Sequence, residues 1–293
     1  MVKNAEQQII FITGCSSGFG FDTAQLLATQ GYRVYASMRA IDSKNKENKE
    51  KLEATAGDKY FLKVIECDVT IPESVTNAVQ QVIDAEGRID VLINNAGYAL
   101  IGPIELGTEE DVRREFETNV FGYIRTIKAV LPHMRAKRSG RIINIGSVGS
   151  EYSSPYMGFY CATKFAVKGI SEALLGECYP FNIKVSVLEP SGYETPFMSG
   201  SMQFTNNIED SGEYESMFRS VKDNFHNVGK NTGDPHQVAK KLAWMVKAKK
   251  LPFLVPVGRL GRLSRSFAGS LPAFQLTKIM ARMYKFDIFP KIT

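Results

Sequence analysis

Four cysteines, three histidines and one tryptophan in 293 residues leave little material for several classes of site. Cys15, Cys67, Cys161 and Cys178 form no CxxC pair and sit inside regular patterns, which argues against a disulfide framework or a zinc ribbon. With only His133, His226 and His236 available, no metal site is expected and the cysteines read as reduced packing residues. Long hydrophobic runs are also missing: no stretch approaches the roughly 20 apolar residues that span a bilayer. Met1 leads through Lys3 and Glu6 into the short run Ile9–Ile12, without a signal-peptide core or a small-residue cleavage site. The expectation is a cytoplasmic protein.

Acidic residues are scarce at one end. Residues 240–293 hold 12 of the 36 Lys and Arg but one of the 31 acids, Asp287, so the rest of the chain is net acidic. Those cations are interleaved with Leu, Phe and Met and carry no recognition motif, so a nucleic-acid partner is not expected. Hydrophobic content of 44% and charged content of 23% suit a globular chain long enough to bury one large core.

Short β-branched runs alternate with helix-length stretches up to about residue 190, which predicts repeated βαβ units. The strands are Gln8–Thr13, Tyr32–Met38, Tyr60–Cys67, Ile89–Asn94, Arg141–Ile145 and Ile183–Leu188. A helix opens at Asp234 as N-cap with Pro235 in its first turn, and Leu251–Val255 reads as a seventh strand whose prolines suit an edge. The fold class is therefore α/β, a doubly wound parallel sheet in a single domain over residues 1–257. A polar, methionine-containing loop spans 192–233, and a basic amphipathic C-terminal helical extension covers 258–293.

Directly after the first strand stands Thr13-Gly14-Cys15-Ser16-Ser17-Gly18-Phe19-Gly20, followed by the helical pattern Phe21–Thr29. Glycines at a strand-to-helix turn let backbone N–H groups approach a pyrophosphate while the helix N-terminus supplies positive potential. The spacing is TGxxxGxG rather than GxGxxG. With Asn94-Asn95-Ala96-Gly97 after the fourth strand and Tyr160-Cys161-Ala162-Thr163-Lys164 further on, the chain resembles the short-chain dehydrogenase/reductase family as far as about Val255. The resemblance implies a Rossmann-like fold and an oxidoreductase acting on a small-molecule alcohol or carbonyl, expected to be a homo-oligomer. It assigns cofactor contact to Gly14, Ser16, Ser17, Gly18, Phe19 and Gly20, to Asp68 and Val69 after the third strand, and to Asn95, Ala96 and Gly97. Tyr160, Lys164, Pro190 and Thr195 complete that set.

In nucleotide folds an acid about 20 positions beyond the glycines bonds the ribose diol, whereas an arginine there accommodates a 2′-phosphate. Here the second strand ends Ser37-Met38-Arg39 with no acid before Asp42, so the expected cofactor is NADP(H). The resemblance makes Tyr160 the proton donor or acceptor. A cation about 4 Å away at an effective dielectric of about 20 contributes at most about 4 kcal/mol, sufficient to bring a phenol from about 10 toward neutrality. Lys164 lies four residues on, the same helix face. By the same likeness Ser147 orients the substrate oxygen, and Asn119 supports a water-linked proton relay to the lysine. Two departures stand out: Gly146 precedes Ser147 where serine is common, and Ser191 replaces the glycine that usually follows Pro190.

The glycine loop together with Tyr35-Ala36-Ser37-Met38-Arg39 and Glu189-Pro190 looks most similar to the 17β-hydroxysteroid and retinol dehydrogenase branch, which implies a bulky apolar substrate. The alternatives are a small-carbonyl or 3-oxoacyl ketoreductase and a non-catalytic NADP(H)-sensing protein. In the tail, Arg259, Arg262 and Arg265 precede Ser270-Leu271-Pro272, the expected start of a helix to about Phe286. Its polar face is Gln275, Lys278, Arg282 and Lys285; its apolar face holds Phe274, Leu276, Ile279, Met280 and Met283. That face is expected to pack on its own domain or a partner subunit, or to give a peripheral hold on anionic membrane.

Overall fold

The computed structural model describes residues 7–191, 202–205, 212, 214–215, 234–258 and 271–283. Seven strands form one parallel sheet: β1 (Ile9–Ile12), β2 (Arg33–Met38), β3 (Leu62–Glu66), β4 (Val91–Asn94), β6 (Gly140–Ile145), β7 (Ile183–Pro190) and β9 (Leu254–Val257), in the order β3-β2-β1-β4-β6-β7-β9. All seven expected strands are found, and the one carrying prolines lies at an edge. There Pro256 faces Glu189, and among the described residues no further strand requires the N–H that proline lacks.

These strands read as continuous apolar runs because helices cover both faces of the sheet. Alternate residues enter opposite cores: Ile10 and Ile12 of β1, Val91 and Ile93 of β4, and Ile143 and Ile145 of β6 pack on one side. Ile9, Phe11, Leu92 and Ile142 pack on the other. The first layer is closed by α1 (Gly18–Thr29), α2 (Lys46–Ala56) and α7 (His236–Lys247) through Leu27, Leu52, Val238 and Leu242. The second is closed by α3 (Pro72–Glu86), α5 (Gly122–Lys137) and α6 (Gly158–Cys178) through Val79, Val130 and Leu174. Asp234 Oδ1 accepts the His236 N–H at 2.9 Å, the cap its position implies.

Two strands carried no sequence signal. β5 (Ala99–Ile101) pairs in parallel with β8 (Met202–Phe204), so the segment read as one loop over 192–233 contains a strand. Gly102 lets this happen: a Cβ there would stand 2.1 Å from Thr205 Oγ1. Before α5, α4 (Glu109–Phe116) runs into a π-turn at Glu117–Phe121. The tail forms α8 (Ala273–Met283), and its Leu276 packs against Val148 and Tyr152.

A polar chain crosses the buried sheet. Thr126 Oγ1 donates to Asn94 Oδ1 at 2.6 Å, Asn94 Nδ2 to Asn144 Oδ1 at 2.9 Å, and Asn144 Nδ2 to Ser171 Oγ at 2.8 Å. Each amide is thus satisfied in a site without access to water, and β4, β6, α5 and α6 are fixed in register. Asn144→Ala strands the Asn94 amide; the expected loss is about 1–3 kcal/mol, read as a fall of several degrees in melting temperature. An unchanged melting temperature would show that the network contributes nothing to stability.

Candidate active site

Strand order reverses between β1 and β4, opening a crevice over their C-terminal ends. Thr13 Oγ1 accepts the N–H groups of Asn95 and Ala96 at 3.0 and 3.1 Å, while Asn95 Nδ2 donates to the carbonyls of Thr13 and Gly14, both at 2.9 Å. The two expected motifs are therefore bonded to each other. Gly14 has φ +71°, and a Cβ on it would lie 2.7 Å from Ala96 Cα. A Cβ on Gly20 would lie 2.4 Å from the Gly14 carbonyl oxygen. These two missing atoms let the turn, the first turn of α1 and the end of β4 close on one another. Ser17, the N-cap of α1, makes no side-chain cap bond, which leaves the first-turn N–H groups and its own hydroxyl for an anion.

From this turn a cavity of about 620 Å³ extends across the sheet. Gly14, Ser16, Ser17, Gly18, Phe19, Arg39, Asp68, Val69, Asn95, Ala96, Gly97, Ser147, Tyr160, Lys164 and Pro190 all line it. Gly20 supports the cavity wall from behind, Asn119 is buried away from it, and Thr195 lies outside the described residues. Arg39 is exposed at the end of β2, held there by the Asn45 side chain on its carbonyl at 2.7 Å, and pairs with no carboxylate among the described residues. Asp68 spends Oδ1 on the Thr70 N–H and hydroxyl, at 2.9 and 2.7 Å. It is thus both the turn residue its sequence suggests and part of the lining.

Helix α6 brings Tyr160 and Lys164 to the cavity, and the end of β6, just before the short turn Val148–Ser150, brings Ser147 to it. A Cβ on Gly149 would touch Cys161 Sγ at 3.1 Å, Ser147 Oγ at 3.4 Å and Tyr160 Cε1 at 3.8 Å, so serine and tyrosine flank one missing side chain. Lys164 Nζ donates to the Ile145 carbonyl at 2.9 Å and lies 5.6 Å from the Tyr160 ring centre. Burial pushes its amine down to about 8, against the pull of Glu115. Lys164 therefore stays mainly cationic at neutrality and loses its charge in the mildly alkaline range.

Asn119 sits in the π-turn, a device frequent at functional sites. Its Oδ1 accepts the Tyr98 N–H at 3.0 Å; its Nδ2 donates to the Tyr98 carbonyl at 2.8 Å and to Thr163 Oγ1 at 3.2 Å. The amide thus fixes the chain leaving Asn95-Ala96-Gly97 to the helix carrying Tyr160. Ser191, where a glycine was expected, donates both its N–H and its Oγ to the Val257 carbonyl at 3.0 Å, tying the chain beyond Pro190 to the edge strand.

Sequence reasoning missed two buried carboxyl groups. Glu189 accepts Ser150 Oγ at 2.7 Å, and the same hydroxyl faces the Ser147 carbonyl at 2.7 Å. Burial lifts Glu189 to about 7, with Glu151 adding to the rise and Lys168 opposing it. Glu115, behind Lys164, is likewise lifted to about 7 by burial. Both look like ordinary charged residues in the chain; a four-residue spacing from Asn119 is the one signal that places Glu115 on an inward face.

Comparison with known proteins agrees with this geometry. The short chain dehydrogenase family model matches residues 8–206. A 3-ketodihydrosphingosine reductase of Bacteroides thetaiotaomicron is 42% identical over 257 residues, 87% of this chain and 89% of the relative. Retinol dehydrogenase 8 of Bos taurus is 34% identical over 256 residues, 83% of this chain and 79% of its own. The crystal structure of a short-chain dehydrogenase from Streptomyces avermitilis superposes with a TM-score of 0.78 at 30% identity, covering 96% of both chains. With the glycine turn, the bonded Asn95 strand end and the Tyr160–Lys164 helix in one cavity, the chain belongs to the short chain dehydrogenase family.

Proposed function

We propose that this protein is an NADP(H)-dependent oxidoreductase that interconverts an alcohol and a ketone or aldehyde on a bulky apolar substrate. The observation that carries the reading is that the glycine turn, Arg39, Ser147, Tyr160 and Lys164 all line the same cavity. The residues suit a dinucleotide: Gly14 and Gly20, lacking side chains, let the turn close tightly against the end of β4, the turn opens a helix N-terminus with its cap hydroxyl unspent, and a guanidinium with no carboxylate partner among the described residues stands at the end of β2. Gly14 to Phe19 would hold the pyrophosphate, Arg39 the 2′-phosphate, Asp68 and Val69 the adenine, and Pro190 the nicotinamide end. When bound, the nicotinamide supplies or accepts the hydride.

The chain's own part is to manage a proton. Tyr160 gives its hydroxyl proton to the substrate oxygen during reduction and takes it back during oxidation. Lys164 provides the positive charge beside it, and Ser147 bonds the substrate oxygen. Asn119 positions the helix through Thr163. A sensing protein without turnover would have no need of this set.

Tyr152, Val148, Met157 and Met202 give the substrate end an apolar wall, with Leu276 of α8 packed on the first two. This lining and the relationship to a 3-ketodihydrosphingosine reductase favour a ketone on a long alkyl chain. Retinoids are the runner-up, because retinol dehydrogenase 8 is also a relative. A substrate panel containing 3-ketodihydrosphingosine, retinal, a steroid ketone, a small aliphatic ketone and a 3-oxoacyl thioester discriminates among these. Preference for either of the last two would overturn the bulky-substrate reading.

Tyr160→Phe keeps the ring and removes the proton, so turnover is expected to fall by about 10²-fold or more while NADPH affinity stays within a few-fold. A residual rate above about a tenth of wild type would exclude Tyr160 as the acid. NADPH is expected to bind at least about tenfold more tightly than NADH, a preference that Arg39→Ala removes. Calorimetric titration giving equal affinities in the wild type would move the assignment away from NADP(H).

Helix α8 adds a location to this proposal. Phe274 and Ile279 are 63% and 42% exposed, and Arg282 is exposed beside them, while Leu276 and Ala281 face the body of the protein. Apolar and cationic groups thus share the surface next to the substrate wall, a combination suited to a peripheral hold on anionic membrane. Full-length protein is expected to co-sediment with phosphatidylserine vesicles at low salt, and Phe274→Ser with Arg282→Ser to weaken this. Wild-type protein left in the supernatant at low salt would remove the membrane from the proposal.

A further inference from the structure

Behind the cavity, α4, α6 and β5 converge on a carboxyl group that the chemistry above does not use. Glu115 closes the last turn of α4 and is 0% exposed. Its Oε1 accepts the Leu100 N–H at 2.9 Å, whereas Oε2 is buried with no hydrogen-bond partner among the described residues. An ionised carboxylate in that position needs a positive charge nearby. The structure offers one on the facing helix: α4 packs against α6, and Asn119, four residues beyond Glu115, bonds Thr163 beside Lys164 at 3.2 Å, so the carboxyl of Glu115 acts on the ammonium of Lys164 across that packing.

Lys164 has the matching need. Its ammonium is buried, bonded to the Ile145 carbonyl at 2.9 Å, and otherwise faces the rings of Tyr160 and Tyr123, with centres at 5.6 and 5.7 Å. Ring faces attract a cation but carry no formal charge when the phenols are protonated. Among the described residues, the carboxyl group that acts on Lys164 is that of Glu115. We propose that Glu115 is the counter-charge of Lys164, a buried carboxylate that holds the lysine as an ammonium and so sustains the positive charge beside Tyr160 into the alkaline range. The inference rests on the reading of Lys164 as part of the reaction, and it adds Glu115 as a positioning residue acting through that lysine.

The surrounding groups leave this pair free to respond near neutrality. Tyr98, from the segment before β5, is raised to about 12 by burial and by Glu115, and the Cys161 thiol on α6 is raised by burial, so both stay neutral. Asp111 and Arg114 on α4 itself bond to each other. Burial lifts Glu115 to about 7 and lowers Lys164 to about 8, so between those values both are charged and attract. Below that window Glu115 takes up a proton and is neutral; above it Lys164 loses one. Because the Glu115 carboxyl is raised above its usual value of 4.5, its contribution to stability is complete below that value and is lost as pH rises through about 7.

Glu115→Gln separates charge from architecture, since the amide oxygen can still accept the Leu100 N–H. The measurement is the titration of Lys164 by NMR in full-length, lysine-labelled protein without cofactor or substrate, its signal identified by loss in Lys164→Arg. Glu115→Gln is expected to lower the Lys164 midpoint by about one pH unit. A midpoint that does not move overturns the proposal. Wild-type protein gives a second test that does not depend on the variant folding: the Lys164 signal should carry a smaller inflection near pH 7, where Glu115 ionises, and its absence also overturns the proposal. Turnover against pH then tests the reading beneath it. The alkaline limb of kcat should move down with the lysine midpoint; if the midpoint falls and the limb stays, the counter-charge stands and the role of Lys164 in turnover is what fails.

Discussion

The contact between the Gly14 turn and the Asn95–Ala96 strand end is the constraint on which the rest of the structure depends. It occurs where the sheet reverses direction, the one place where two neighbouring strand ends diverge and leave a crevice between them. Thr13 and Asn95 lock the two segments together with four hydrogen bonds, and Gly14 and Gly20 remove the atoms that would keep them apart. The helix N-terminus that follows, the lining from β2 and β3, and the wall from α6 all take their positions from that closure. Side chains at these glycines would act on several elements at once.

Most of the fold could be read from the chain because each sheet strand is a short β-branched run with both faces covered, a local pattern that needs no knowledge of partners. The β5–β8 pair could not. Ala99–Ile101 and Met202–Phe204 are three residues each and are joined across about a hundred positions, so nothing local marks them. At the site, motif spacing located Tyr160, Lys164, Ser147 and the glycine turn, which share one cavity, while Thr195 lies outside the described residues. Glu115 was hidden by its company: Glu109, Glu110, Asp111, Arg113, Arg114 and Glu117 surround it and read as a solvated helix. Asp111, Glu115 and Asn119, four apart, instead form a buried polar stripe, the reverse of the usual inward apolar face.

Buried ionisable groups set the character of the wall behind the cavity. Glu115 stands behind Lys164, and Glu189 behind the turn that holds Ser147, each raised by burial into the neutral range. In a medium of low polarisability such groups influence neighbours strongly and change charge near neutrality rather than far below it. The residues lining the cavity are thus only its inner surface. Glu115 acts on Lys164, and Glu189 on the turn beside Ser147, from one layer further out, on top of the larger effect of burial itself.

The pairing of β8 with β5 changes what the long segment after β7 costs to organise. A single connection from Pro190 to Asp234 would have to be ordered as one excursion, with an entropic penalty that grows with the logarithm of its length. Fastening Met202–Phe204 to Ala99–Ile101, and Thr205 against Gly102, divides it into two shorter spans with a fixed point between them. That fixed point stands one residue from Tyr98, whose backbone Asn119 holds at both its N–H and its carbonyl. Sequence on either side of it can lengthen, shorten or diversify while the fastening keeps its place beside Tyr98 and the cavity that Tyr98 lines.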